Sequence, residues 1–128
     1  MPTRFRELAG LEVVVKKVVF VSHLDAPPEK PYPFVYFIEI HNGSTEVISI
    51  RGRKWILEDE MGEKIVVEGR GVVGETPELE PGERFSYNSY HVVARSSKAS
   101  GTFFGISAAG EGIRVSIPEF RLEPPKKE

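Results

Sequence analysis

Apolar side chains recur at every second position in this chain, in short segments rich in valine, isoleucine and aromatic residues, and no stretch carries them at sustained helical spacing. Period-two patterning puts successive side chains on opposite faces of an extended strand, so such a chain buries its apolar face by laying one sheet on another. Residues 11–21 place Val13, Val15, Val19 and Val21 on one face and Val14, Val18 and Phe20 on the other. The Lys16-Lys17 pair in their midst marks a bulge or a charged edge. Residues 34–41 alternate Phe34, Tyr36, Ile38 and Ile40 with Val35, Phe37, Glu39 and His41, and stop at the turn signal Asn42-Gly43. A third strand over residues 47–57, interrupted near Gly52, turns at Asp59-Glu60-Met61-Gly62 and returns through residues 64–68 as a hairpin. Residues 84–90 set Phe85 and Tyr87 on one face, and residues 102–107 and 113–117 complete the set. Turn signals recur every 8 to 12 residues or roughly so, the spacing of an antiparallel sandwich.

The expected fold is therefore all-β: an antiparallel β-sandwich of seven or eight strands, roughly, in two sheets. Its expected core includes Val13, Val15, Phe34 or Tyr36, Ile38, Ile40, Trp55 and Phe85. Pro27, Pro28, Pro31 and Pro33 donate no ladder hydrogen bonds, so residues 22–33 read as an extended connection. Residues 95–101, rich in small side chains, read as a flexible loop. A chain of 128 residues holds one domain, with its core over residues 11–122 and frayed ends at 1–10 and 123–128.

Charge and cysteine content narrow the function classes. Seventeen basic and 19 acidic residues leave a net charge of −2, which gives no overall field to draw in a polyanion, so nucleic acid is not an expected partner. With no cysteine there is no disulfide framework, thiolate zinc site or thiol nucleophile, a composition that points to the reducing cytoplasm. Neither a leader-like start nor a long uninterrupted apolar run is present, so secretion and membrane spanning are not expected.

Gly69-Arg70-Gly71-Val72-Val73-Gly74 matches the G-x-G-x-x-G string of nucleotide sites and follows an expected strand. The mechanism of such a site requires a helix to begin there, because free N–H groups at its start hold the phosphates. Here Pro77 and Pro81 with Glu75, Glu78 and Glu80 follow, opposing both helix and anion. Gly69, Gly71 and Gly74 are thus a weak candidate anion loop, read first as a backbone turn. His23, His41 and His91 lie far apart with no ligand-like spacing, and no metal site or cofactor is expected. Ser96, Ser97 and Ser100 lack a nucleophile-elbow context, so no catalytic residue is named. Arg51, Arg53 and Lys54, next to Trp55, form a basic cluster and the candidate interaction surface for an acidic partner or phosphate.

Arg53-Lys54-Trp55-Ile56-Leu57-Glu58-Asp59, then Gly62, then Gly69-Arg70-Gly71-Val72-Val73-Gly74-Glu75-Thr76-Pro77, form a run that resembles the ApaG family. Leu79-Glu80-Pro81-Gly82-Glu83-Arg84-Phe85-Ser86-Tyr87-Asn88-Ser89, Ile117-Pro118-Glu119-Phe120-Arg121-Leu122 and the aromatic strand at Pro33-Phe34-Val35-Tyr36 extend the resemblance over residues 11–122. The resemblance implies a sandwich like immunoglobulin and fibronectin type III domains and a bacterial protein of poorly defined biochemistry. It also implies an association with cobalt and magnesium efflux, and relatives that are interaction modules within larger eukaryotic proteins. Lys54 stands where the family commonly has histidine, and Thr102-Phe103 replaces the tyrosine-bearing end of its small-residue loop. Leu79-Glu80-Pro81-Gly82 leading into Phe85 resembles the tyrosine corner of such sandwiches with the hydroxyl missing. The expected function is a non-enzymatic protein-interaction module. A small-ligand or divalent-metal-linked factor is the alternative, and the oligomeric state is left open.

Overall fold

The computed structural model describes residues 4–126. Among them lie nine strands and no helix: β1 (Phe5–Glu7), β2 (Leu11–Phe20), β3 (Tyr32–Asn42), β4 (Ile48–Asp59), β5 (Lys64–Arg70), β6 (Glu78–Leu79), β7 (Arg84–Val93), β8 (Ser97–Ser107) and β9 (Gly112–Leu122). Strands β2-β3-β7 make one sheet; β1-β9-β8-β4-β5, with β6 also on β4, make the other. Without the short β1 and β6, this is the A-B-E over C′-C-F-G arrangement of a fibronectin type III-like sandwich. All pairings are antiparallel except β1 with β9, which is parallel. Phe5–Glu7, read as part of a frayed end, is therefore tied into the larger sheet; residues 1–3, 127 and 128 lie outside the described residues.

The alternation in β3 is the spine of the core. Phe34, Tyr36, Ile38 and Ile40 are all buried, and Pro33 is tolerated because it sits at the start of the strand. In β2 the register shifts between Val15 and Lys17, so the bulge at Lys16 is real and changes which side chains face inward. Leu11, Val13 and Val15 point to the core before it, Val18 and Phe20 after it, and the strict odd-position face that included Val19 and Val21 does not hold. A single extra residue inverts the inward set.

Trp55 on β4 lies at the centre of the interior, 1% exposed, with Tyr36, His91 and Phe120 around its ring at centroid distances of 5.0, 4.7 and 5.8 Å. Gly101 makes room for it: a Cβ there would stand 2.4 Å from the Lys54 carbonyl oxygen and 3.3 Å from the indole. The loop expected over residues 95–101 is thus largely strand, because β8 begins at Ser97 and carries the buried Ser97 and Ala99. Its small side chains serve close packing under Trp55 rather than flexibility.

The Leu79-to-Phe85 corner is also built differently from the tyrosine-corner reading. It feeds β7, the E strand, whereas a tyrosine corner lies one strand later at the start of F. Asn42 supplies the tie, 1% exposed, its side-chain amide donating to the Leu79 and Glu46 carbonyls at 2.9 and 2.8 Å. Its Oδ1 accepts from the backbone N–H and hydroxyl of Ser44, and its own carbonyl accepts from Gly82 N–H at 2.7 Å. Phe85 packs against the core only half-buried, while Leu79 is fully buried.

Candidate functional site

The β4–β5 hairpin projects an edge that the second sheet does not cover. Every residue of β5 is exposed except Gly69, which is half-buried, and Ile65, Val66 and Val67 are 39%, 52% and 39% exposed. Asp59 at the hairpin turn accepts from the N–H groups of Met61 and Glu63 and pairs with Arg95 at 2.9 Å. Burial would raise its pKa, but these donors outweigh that and hold its carboxyl below the usual range. The turn is therefore rigidly built, although Met61 at its tip is exposed.

Hydrogen-bond parity identifies the free groups of the edge. Asp59 N–H donates to Glu63 and Gly71 N–H donates to Arg51, so residues 63 and 71 face β4. Alternation then turns residues 65, 67 and 69 toward β4 and leaves the N–H and C=O groups of Lys64, Val66, Glu68 and Arg70 pointing away. No further strand of the described residues lies beyond β5. Arg53 closes one end: its guanidinium occupies the space a Gly69 side chain would need and donates to the Arg70 and Gly71 carbonyls at 2.7 and 3.1 Å. Lys64, Val66 and Glu68 remain open.

The glycine string forms no helix. Val72 and Glu75 exchange backbone hydrogen bonds of 2.7 and 3.0 Å around Val73 and Gly74, whose φ angles of 45° and 82° give a tight turn. Gly71, at φ 63°, would put a Cβ 2.3 Å from the Glu75 carbonyl oxygen. Val73, a β-branched residue in the left-handed region, is strained and exposed, whereas Val72 is buried and anchors the turn.

The basic cluster does not form one surface. Arg53 is consumed by carbonyls, Arg51 donates to the Ser49 hydroxyl at 2.7 Å, and Lys54 lies opposite Glu68 on the neighbouring strand. Among the described residues no three His, Asp or Glu side chains gather as metal donors. His41 binds Glu39 at 2.8 Å, a contact that with Lys16 and Ser86 holds the Glu39 carboxyl low. His91 is buried against Tyr36 and Trp55, and desolvation pushes its pKa down to about 4. His91 Nε2, Trp55 Nε1 and Tyr87 OH are buried without a hydrogen-bond partner, and burial pushes the Tyr87 phenol well above its ordinary value. Ser96 donates to the Glu123 carboxylate at 2.7 Å, and Ser97 donates to the Arg95 carbonyl.

The family model described as the ApaG domain matches residues 22–105. The chain belongs to the ApaG family. Protein ApaG of Methylorubrum populi is 37% identical over 120 residues, covering 93% of this chain and 92% of that protein. The X-ray structure of a Northeast Structural Genomics Consortium target aligns with a TM-score of 0.80 at 33% identity, over 91% of this chain and 88% of the other. The crystal structure of a Bordetella pertussis protein named ApaA aligns with a TM-score of 0.78 at 29% identity, over 94% and 99%. None of these ApaG-family relatives is named for a catalytic activity.

Within this ApaG domain the β5 edge escapes a reading that looks for titratable clusters. Its signal was present in Lys64-Ile65-Val66-Val67-Glu68, three β-branched residues between opposite charges, but only the pairing pattern shows that no strand of the described residues lies beyond them.

Proposed function

We propose that this ApaG-family chain is a non-enzymatic protein-interaction module that binds through its β5 edge. The observation that carries this reading is the run Ile65, Val66 and Val67, exposed on a strand whose outward backbone groups at Lys64, Val66 and Glu68 have no strand partner among the described residues. Such an edge adds a partner strand through main-chain hydrogen bonds, with side chains supplying specificity. The other edges are guarded or polar. β1 has three residues, β2 is bulged at Lys16, and β7 turns Arg84, Ser86, Asn88 and Tyr90 to solvent, the Tyr90 hydroxyl donating to the Asp25 carbonyl at 3.2 Å. Met61 and Val73 extend the exposed apolar line beyond both ends of β5.

Affinity capture from cell lysate with the wild-type chain and with a Val66→Pro variant tests this reading. Proline removes an N–H that β4 does not use, so the fold is retained while strand addition is blocked. A partner retained by wild type and lost by the variant is the expected result; equal capture by both removes β5 from the interface. A thermal-shift series with cobalt and magnesium ions, run beside it, tests the cation-linked alternative.

A further inference from the structure

We infer that the β5 edge pairs with β5 of a second copy of this chain, antiparallel and centred on Val66, to make a symmetric dimer with a sheet continuous across both copies; this rests on the β5 edge being the binding surface. Antiparallel pairing joins outward-facing residues of one edge to outward-facing residues of the other. On β5 the open ones are Lys64, Val66 and Glu68. Centring on Val66 matches Val66 with its own counterpart and Lys64 with Glu68 of the second copy, twice by symmetry. The neighbouring registers fail. Centring on Lys64 or Glu68 sets like charges face to face, centring on Val67 sets Lys64 against Arg70, and centring on Ile65 leaves Lys64 opposite valine.

The rows flanking the seam agree with this register. Glu58 and Lys54 of β4 lie opposite Lys64 and Glu68, and Lys98 of β8 lies opposite Glu58 with its ammonium 3.5 Å from the carboxylate. Pairing therefore continues an alternation of sign across the sheet: Lys98, Glu58, Lys64, then Glu68 and Lys54 of the second copy. Between the charged rows, Val66 meets its counterpart with Ile56 behind it in each copy, and on the opposite face Ile65 lies against the second copy's Val67. The isologous geometry uses one patch twice, as a two-fold dimer requires. Arg53 seals the Arg70 carbonyl, so the free groups end where the paired register ends.

Sedimentation velocity from low micromolar to millimolar concentration reads the assembly. The wild type is expected to pass from monomer to dimer, with the amide protons of Lys64, Val66 and Glu68 gaining exchange protection as concentration rises. Val66→Pro is expected to stay monomeric. Lys64→Glu and Glu68→Lys each set like charges across the seam and are expected to weaken self-association about tenfold or more. Mixed together, the two single variants are expected to form a heterodimer, because each then offers the sign the other needs; far-UV circular dichroism checks that each remains folded. Should either charge variant misfold, Val66→Pro and the exchange pattern decide alone. A wild type that stays monomeric, a dimer that survives Val66→Pro, or folded charge variants that fail to recombine overturns the pairing. A monomeric wild type that still captures a partner sensitive to Val66→Pro overturns the self-pairing and leaves the interaction reading standing.

Discussion

In β3, Tyr36, Ile38 and Ile40 are 4%, 1% and 0% exposed, whereas in β5 the chemically similar Ile65, Val66 and Val67 are 39%, 52% and 39% exposed. Both strands are β-branched and aromatic or aliphatic, and both read as sheet formers. β3 lies between β2 and β7 and faces the larger sheet, so every second side chain enters the core. β5 is the last strand of the wider sheet, beyond the reach of the three-stranded one. Burial here follows position in the sheet rather than hydropathy. Apolar residues in β3 stabilise the monomer, while those in β5 are available to something outside it.

The sharpest test of this contrast is Trp55→Ala, which empties the centre of the interior and is expected to cost about 3 to 5 kcal/mol in a denaturant melt. A much smaller loss would mean that the interior collapses readily and is not packed as described.

Acid sensitivity of the same interior comes next. His91 is held neutral with a folded pKa of about 4, below its ordinary 6.5, so the unfolded chain takes up a proton first as the pH falls. Its contribution is complete above about pH 6.5 and is lost toward pH 4, to the extent of about 3 kcal/mol. His91→Leu removes that dependence. The stability difference between variant and wild type is expected to shift by this amount in the variant's favour between pH 7 and pH 4, and two parallel curves would contradict it.

Asn42→Ala leaves the buried Leu79 carbonyl without its amide partner and is expected to cost about 2 to 3 kcal/mol by chemical denaturation. Phe85→Ala, at the edge of the core, is expected to cost about 1 to 3 kcal/mol, less than truncation of a fully buried aromatic. Reversal of that order would place the corner's stability in apolar contact rather than in the Asn42 hydrogen bonds. At the bottom of the scale, Val66→Thr on β5 is expected to change monomer stability by less than about 0.5 kcal/mol in dilute thermal melts. A large loss there would erase the distinction between the two strands.

The all-β class, the strand at residues 34–41 and the buried Trp55 were legible from the sequence, because alternation, turn chemistry and side-chain size are local properties, whereas Lys16-Lys17 read as a bulge or a charged edge until the register shift settled on the bulge. The glycine string was legible as a turn for the same reason: prolines and acidic residues follow it in the sequence, and the backbone closes on itself between Val72 and Glu75 instead of starting a helix. Tertiary structure alone decided the rest. Asn42 reads as a surface turn residue until Leu79, far along the chain, supplies the carbonyl that buries it. Arg51, Arg53 and Lys54 look like one basic patch until Arg53 reaches the Arg70 and Gly71 carbonyls across the hairpin. The exposure of Ile65 and Val67 on the inward face of β5 depends on a three-stranded sheet ending short of a wider one, a relation among strands distant in sequence that no local pattern encodes.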